Sequence, residues 1–561
     1  MKFWKRGMAL LLAVSACFTF LTACGQTEAA GDQLALAVCV GETPATYDPI
    51  YAEEPGEQTV LNHLYENLMR LERDENGQTV AVNGAARSVD VKENADGTVT
   101  YTFRLRGGKW SDGVDVKAGD FVYAWQRLAD PAAGSAYAPL LSIISGYDEA
   151  RASGDMSLLG VAAKNNSTFV VTLNGQYDWF LREVCTSIAT MPLRQDVVTR
   201  LKQEADQANA ALSDEEAVNR WWSDPTRLVT NGPYVVSARE DTSLVLGENT
   251  AYGKKLTGPT ELTFRFGDTA TAQILYDQGV VDALWPLSEE QMAEKKAADE
   301  NWQPEPVLET YSVLFNCDRL EDEQIRKALS LAIDRSALAE LAGVTAQAAA
   351  GLVPPGVPEG EKDFRTTGGN LLDHDGETYE DRCREAVELM QEAGYTADVL
   401  ERLEQVVMLY ESDGTADSLA VFLQKTWREK LGIQVTLRGV SASEITKALE
   451  QGEYTLAALR VTSDRNDATG FLNRWRTGNE GNYANFDSSA YDMLLGVASV
   501  SASKEARDAY LEDAERLLLE KGNVIPLYHS TRSWSLSEKY TGLFGDGLGR
   551  YFFTGIHAAG K

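Results

Sequence analysis

The clearest hydrophobic pattern in the chain is a strict alternation of apolar and polar residues over 98–105, which predicts a strand with one buried face. A turn-forming run at 94–97 separates this strand from another predicted over 88–91. Farther along, apolar residues at helical spacing predict a helix that ends before Pro131. The apolar positions of this helix are Phe121, Trp125 and Leu128.

The second half of the chain predicts alternating helices and strands. An apolar helical stripe over 419–431 is followed by Gly432, which suits a helix C-cap, and by a strand predicted over 433–437. The same order recurs as a helix over 504–521 and a strand over 524–528. These patterns indicate an α/β fold, and the chain has no internal repeat of fixed period that would indicate a solenoid.

The N-terminal residues predict export. A short basic start precedes an apolar run over 8–21, which is too short to span a bilayer core that needs about 20 residues. The run ends in Leu-Thr-Ala-Cys-Gly at 21–25, which resembles a bacterial lipobox. We therefore predict a signal peptide at 1–23, lipidation of Cys24 and a flexible tether over 24–33. A plain signal peptide with an unmodified cysteine is the alternative.

Charge and composition exclude several classes of protein. The chain has 561 residues with a formal net charge of −32, so nucleic acid is not an expected partner. Its four histidines show no HxxxH spacing, and its six cysteines form no CxxC pair, so we predict no metal site and no cofactor. Four cysteines lie beyond the tether, and we expect mostly buried single thiols, with pairing left open. They are Cys39, Cys185, Cys317 and Cys383.

Motifs of catalysis are missing from the sequence. It has no GxSxG, HExxH or Walker A motif. The glycine-rich run at 545–550 comes near a dinucleotide fingerprint, but Arg550 stands where its last glycine belongs. We therefore predict that the protein is not an enzyme, and a secreted hydrolase is kept only as a remote alternative.

Six segments carry a family resemblance. They are GETPATYDP at 41–49, KWSDG at 109–113, DFVYAWQRLADP at 120–131, VTNGPY at 229–234, Asn316 with IRKAL at 325–329 and DR at 334–335, and PLY at 526–528. In this order they resemble segments of the extracytoplasmic oligopeptide-binding proteins of ABC importers, the family 5 solute-binding proteins. One departure is Tyr47, which replaces the leucine of the opening signature.

The resemblance implies a two-lobed clamshell of the periplasmic-binding-protein type, with an extra inserted subdomain and a hinge between the lobes. Lobe I is expected to comprise 34–66, 185–306 and 530–561, and the inserted subdomain 67–184. Lobe II is expected to cover 307–529. Two chain crossings near Tyr311 and Tyr528 are expected to form the hinge, and closure about it would enclose a ligand.

The resemblance also implies where the amino group of a peptide would bind. Every free peptide has a terminal ammonium, which a buried carboxylate can hold by charge-assisted hydrogen bonds. Asp464 follows a predicted strand at 454–461 and falls on the ammonium-binding aspartate of the family. An aspartate that only caps a turn is the alternative. Val461 and Ser463 are expected to offer backbone groups to an extended peptide.

Further candidates follow from the family cleft. Glu53 and Pro55 fall on positions that line the cleft near the start of the peptide, although Glu53 is equally consistent with a solvated loop charge. Four more residues lie near cleft or hinge positions, and a role as core residues is an alternative for each of them. These residues are Tyr137, Tyr311, Tyr528 and His529.

The departures from the family concern the other end of the ligand. Ala458 and Ala416 stand where other members have Arg and His that meet the peptide carboxylate, and Ala442 and Val461 stand where they have Trp. We therefore expect a ligand with a cationic amine, but with a length or tail that differs from the usual di- to pentapeptides. Arg460 and Arg465 are the candidate replacements for the missing cation.

The resemblance thus predicts a monomeric, lipid-anchored receptor on the outer face of the cytoplasmic membrane. It would capture oligopeptides, or peptide-like amines, and deliver them to the permease of an ABC transporter. A receptor of the same fold for a nickel chelate, heme or an oligosaccharide is the alternative.

Overall fold

The computed structural model describes residues 34–560, except 75–78, 211, 214–218, 300, 301, 303, 360, 361, 396–405, 464, 500 and 502. The predicted signal peptide (1–23), the predicted tether (24–33), Cys24 and Asp464 lie outside the described residues. Among the residues that are described, no helix has both the length and the hydrophobicity needed to cross a membrane.

Strands and helices alternate along most of the chain. The strands are β1 (Ala35–Cys39), β2 (Met69–Arg73), β3 (Thr79–Asn83), β4 (Ala86–Glu93), β5 (Val99–Leu105), β6 (Val161–Asn165), β7 (Thr168–Leu173), β8 (Tyr234–Glu240), β9 (Ser243–Glu248), β10 (Glu261–Arg265), β11 (Ala283–Leu284), β12 (Glu305–Phe315), β13 (Gln347–Ala348), β14 (Pro358–Glu359), β15 (Lys362–Asp363), β16 (Val406–Glu411), β17 (Val435–Val440), β18 (Leu456–Thr462), β19 (Val524–Arg532), β20 (Ser535–Leu536), β21 (Tyr540–Thr541), β22 (Phe544–Gly545), β23 (Tyr551–Phe552) and β24 (His557–Ala558). The helices are α1 (Pro55–Leu64), α2 (Ala118–Ala129), α3 (Tyr147–Ser153), α4 (Gln195–Asn209), α5 (Thr269–Asp277), α6 (Glu289–Ala298), α7 (Glu323–Leu331), α8 (Arg335–Ala342), α9 (Phe364–Gly368), α10 (Tyr379–Glu392), α11 (Gly414–Leu431), α12 (Ala442–Glu450), α13 (Ala468–Leu472), α14 (Ser489–Ser499) and α15 (Lys504–Glu520).

Three sheets organise these elements, and we name each region after its sheet and the helices packed on it. Lobe I has a six-stranded sheet in the order β20-β11-β1-β10-β9-β8. In this sheet β1 runs parallel to β10 and to β11, while the remaining pairs are antiparallel. Because β1 and β20 come from opposite ends of the described chain, lobe I is discontinuous in sequence.

The inserted subdomain has an antiparallel sheet in the order β4-β5-β7-β6. The predicted alternation is confirmed, because the apolar residues of β5 are buried and the side chains between them are not. The predicted helix is also confirmed as α2, whose Phe121, Trp125 and Leu128 are fully buried. The hydrophobic core of this subdomain is continuous with that of lobe I.

Lobe II has a six-stranded sheet in the order β13-β19-β12-β18-β16-β17. A separate hydrophobic cluster fills each of its two faces, as the long buried strands β12 and β19 require. The predicted C-cap is confirmed at Gly432, which ends α11 with a φ of 73°. Cys39, Cys185 and Cys383 are buried, Cys317 is partly exposed, and all four are free thiols as expected.

The chain crosses between the lobes at two places, and these two crossings lie side by side. The chain enters lobe II at the start of β12 and leaves it at the end of β19, where Glu305 pairs with Arg532. After Arg532 the chain soon joins the lobe I sheet as β20. Tyr311 and Tyr528 face each other farther along the same strands, inside lobe II. The chain therefore crosses between the lobes next to Glu305 and Arg532, on the same two strands as the tyrosines, and the expectation that Tyr311 and Tyr528 mark the hinge stays a prediction.

Candidate functional site

A cavity of about 190 Å³ lies where the two lobes meet. Three of the predicted residues, Glu53, Pro55 and Tyr137, line it from lobe I and the inserted subdomain, and Ser463 lines it from lobe II. The structure therefore brings together residues that are more than 300 positions apart in the chain. A ligand in this cavity would contact both lobes at once.

Around Glu53, the lobe I wall of the cavity is held by hydrogen bonds between uncharged groups. The Tyr137 hydroxyl donates to the carbonyl oxygen of Ala52 (3.0 Å) and accepts from Nε2 of Gln58 (2.9 Å). The same Gln58 nitrogen also donates to the carbonyl oxygens of Ala52 (3.0 Å) and Glu53 (3.3 Å). Burial, and next the negative charge of Glu53, raise the pKa of Tyr137 to about 12, so its hydroxyl keeps its proton at neutral pH.

The lobe II wall is a short loop between β18 and α13. The hydroxyl of Ser463 donates to the carbonyl oxygen of Arg465 (2.6 Å) and accepts from its N–H (3.2 Å). At the end of the loop, Asp467 caps α13, and Nη2 of Arg507 donates to both of its carboxylate oxygens (2.7 and 2.9 Å). Both partners of this ion pair are buried. The loop thus has one fixed end close to the cavity.

Charged side chains meet in the cavity. Glu183 is 8% exposed and accepts from Nε of Arg182 (2.8 Å) and from the N–H of Asn466 (2.9 Å). Arg550 forms an ion pair with Asp546, whereas Glu53 is exposed. The cavity therefore offers two carboxylates, Glu53 and Glu183, and two guanidinium groups, Arg465 and Arg550, next to hydrogen-bonding and apolar groups.

One edge of β18 is open beside this loop. β18 pairs with β12 over its whole length, but it pairs with β16 only as far as Ala458. Among the described residues no strand pairs with the other edge of residues 459–462. An extended chain could add to this edge by backbone hydrogen bonds.

Comparisons with known proteins agree with this geometry. A family model described as "Bacterial extracellular solute-binding proteins, family 5 Middle" matches residues 81–483. The chain belongs to this family. The periplasmic murein peptide-binding protein MppA of Escherichia coli is 27% identical over 504 residues, which cover 88% of this chain and 87% of MppA. The dipeptide-binding protein DppE of Bacillus subtilis is 25% identical over 564 residues, covering 97% of this chain and 96% of DppE.

Solved structures confirm the two-lobed family 5 fold. The unliganded open form of the murein tripeptide-binding protein MppA superposes with a TM-score of 0.75 at 25% identity, covering 94% of this chain and 98% of that one. The Haemophilus influenzae OppA complex with the peptide RPPGFSPFR has a TM-score of 0.69 at 24% identity, covering 94% and 99%. Like these proteins, the family 5 chain described here is a two-lobed α/β clamshell.

The central candidate, Asp464, lies outside the described residues. Its sequence neighbours, Ser463 and Arg465, both line the cavity. Its assignment as the ammonium ligand therefore stays a prediction.

Tyr311 and Tyr528 do not line this cavity. Their rings lie 5.3 Å apart in the core of lobe II, and both residues are buried. The guanidinium of Arg460 lies 5.8 Å from the Tyr311 ring. These contacts favour the alternative in which the two tyrosines are core residues.

His529 is also buried away from this cavity. The hydroxyl of Thr310 donates to the carbonyl oxygen of Leu352 (2.8 Å), so Nδ1 of His529 must donate its proton to the same hydroxyl oxygen (2.9 Å). Burial, and then the positive charge of Arg365, lower the pKa of His529 to about 3. A neutral imidazole fixed in this way stabilises lobe II internally.

Val461 has a fully buried side chain opposite Thr310, so only its backbone is available to a ligand.

Arg460, a candidate for the missing cation, already pairs with Asp413 (3.2 Å) and Glu309 (3.6 Å). Two carboxylates around one guanidinium leave a local negative charge. A peptide carboxylate would therefore have to compete with both for Arg460.

The sequence analysis missed Gln58, Glu183 and Arg550. Gln58 and Glu183 each act through a partner that is distant in the chain: Gln58 binds Tyr137, and Glu183 binds Asn466. The available signal for Glu183 was the adjacent charged pair Arg182 and Glu183 within the otherwise apolar segment 179–184, which is unusual unless the charges are paired.

Proposed function

We propose that this family 5 protein captures peptides, or peptide-like amines, by their free amino end in the cavity between the lobes. The single observation that carries the proposal is that residues of both lobes, including four expected from the family cleft, line this cavity. The peptide-binding names of MppA and DppE support the same ligand class.

Asp464 is the proposed partner of the ligand ammonium. The neighbouring Ser463 and Arg465 line the cavity, so the carboxylate of Asp464 would lie close to a ligand held there. Closure of the lobes would remove water from the ion pair and strengthen its attraction. The open edge of residues 459–462 would hold the following ligand residues by their backbone, independently of their side chains.

Anchoring and delivery complete the proposal. Lipidation of Cys24 would hold the receptor at the outer face of the membrane, and an ABC transporter permease would receive the ligand. Metabolic labelling with a radioactive fatty acid tests the anchor. We expect label on the protein and none on the Cys24→Ala variant, and equal labelling of both would reject the assignment.

Calorimetry tests the amino-end assignment. We expect Asp464→Ala to weaken the binding of a free peptide longer than five residues by about 100-fold or more, because the ammonium would lose its charged partner. The affinity of the wild type should fall by a similar factor when the amino end of the same peptide is acetylated. Asp206→Ala, which removes an exposed acidic residue from α4, is the matched control. Unchanged affinity of Asp464→Ala would reject the assignment.

Native mass spectrometry of the purified protein tests the ligand class. A peptide mass released from the protein would support the proposal. A nickel chelate, heme or an oligosaccharide released instead would favour the alternative receptor.

A further inference from the structure

A π-helical turn at Phe180–Val184 reaches from the inserted subdomain to lobe II. Nη2 of Arg182 donates to the carbonyl oxygen of Asn466 (2.5 Å), and the N–H of Asn466 donates to Oε2 of Glu183 (2.9 Å). Two adjacent charged residues thus bind both backbone groups of one residue on the opposite lobe. Turns of this kind are rare and are frequently found at functional sites.

The two side chains are arranged for this contact. Nε of Arg182 donates to Oε1 of Glu183 (2.8 Å), which orients the pair and leaves Oε2 for the N–H of Asn466. Beside them, the guanidinium of Arg465 lies 5.2 Å from the centre of the Trp179 ring. Three contacts between the regions therefore converge within one turn.

On the other side, Asn466 is firmly attached to lobe II. Its Nδ2 donates to the carbonyl oxygen of Gly356 (3.1 Å). The next residue, Asp467, is held by the buried Arg507, and the preceding residue, Arg465, lines the cavity. Asn466 is thus connected both to the body of lobe II and to the loop that forms the cavity wall.

We propose that Arg182 and Glu183 form a latch that stabilises, through the backbone of Asn466, the arrangement described here, in which residues of both lobes line the cavity. The latch recognises the protein's own loop, so it adds the same free energy to this arrangement of the lobes for every ligand. It sets the strength of binding and not the choice of ligand. This role in affinity rests on the proposed function, because it assumes that the ligand lies between the lobes.

Arg182 provides the cleaner test of the latch, because Glu183 lines the cavity and Arg182 does not. Loss of a charge-assisted hydrogen bond should lower the population of the arrangement in which both lobes line the cavity, and so weaken binding by about 10-fold. We expect Arg182→Ala to weaken two peptides of different length by the same factor and to speed the dissociation of both. Arg182→Lys, which keeps the charge but loses the planar fork, should lie between the wild type and Arg182→Ala.

The control is Arg200→Ala, which breaks an exposed ion pair within α4 and should change nothing. Circular dichroism establishes that each variant is folded. A change in the ratio of the two peptide affinities, or unchanged affinity for both, would overturn the latch.

Small-angle X-ray scattering without ligand separates this proposal from the proposed function. We expect a larger radius of gyration for Arg182→Ala than for the wild type, whether or not any peptide binds. If the wild type binds no peptide, the proposed function fails, and the scattering result alone then decides the latch. If the wild type binds no peptide and the radius of gyration of Arg182→Ala equals that of the wild type, the latch proposal is overturned.

Discussion

The two walls of the cavity are built by different interactions. On the lobe I side, uncharged hydrogen bonds among Tyr137, Gln58 and backbone carbonyl oxygens hold the segment that carries Glu53. On the lobe II side, the buried ion pair of Asp467 and Arg507 holds the end of the loop that carries Ser463. The Ser463 loop therefore depends on a buried ion pair, whereas the segment that carries Glu53 is held by neutral hydrogen bonds.

This difference determines how each wall should respond to change. Removing one partner of a buried ion pair leaves an uncompensated charge, whereas removing one of several neutral hydrogen bonds costs much less. The ion pair also makes the lobe II wall sensitive to acid, because the carboxylate of Asp467 must stay ionised. The lobe I wall contains Tyr137. Its pKa is raised to about 12, so the Tyr137 hydroxyl stays protonated at every pH well below that value.

The largest expected effect is on the lobe II wall. Arg507→Ala leaves Asp467 buried without its main cation and should lower the free energy of unfolding by about 3–5 kcal/mol. Urea unfolding monitored by tryptophan fluorescence would measure the loss. The exposed Arg200→Ala serves again as the control. A loss no larger than that of the control would show that the ion pair does not support this wall.

The acid response of the same wall is the next largest effect. Burial alone would raise the pKa of Asp467, but Arg507, Thr469 and Arg182 outweigh it and lower the pKa to about 2 from 3.8. Its stabilisation, on the order of 2 kcal/mol, is present above pH 4 and is lost as the pH falls from about 4 to 2.

Unfolding experiments from pH 5 to pH 2 would measure this loss, and Asp467→Asn is the matched variant. We expect a flatter profile for the variant, because its amide does not titrate. Identical profiles for the two proteins would contradict the assignment of the acid response to Asp467.

Local patterns predicted the elements better than they predicted the site. The alternation in β5 identifies its buried face, because only one side of that sheet packs against α2. In β12 almost every residue from Val307 to Phe315 is buried, so the sequence has no alternation that would assign Tyr311 to core or cleft. The family resemblance supplied four residues of the cavity wall, but not the hydrogen bonds that hold them.

Most of the site residues that the sequence analysis missed contact partners that are distant in the chain. Glu183 and Asn466 are 283 positions apart, and the backbone N–H that Glu183 binds leaves no mark in the sequence. Arg182 similarly binds a backbone carbonyl oxygen, so residue types alone could not reveal this contact. Contacts of this kind become visible only when the relative placement of the lobes is known.

The smallest expected effect is on the lobe I wall. Tyr137→Phe removes the hydroxyl that binds Ala52 and Gln58, yet Gln58 can still donate to the carbonyl oxygens of Ala52 and Glu53. We expect a loss of about 1 kcal/mol in the free energy of unfolding, with no new dependence on acid. Urea unfolding of Tyr137→Phe at pH 7 and pH 4 would measure both quantities. A loss as large as that of Arg507→Ala would remove the distinction between the walls, because the neutral network would then be as important as the buried charge.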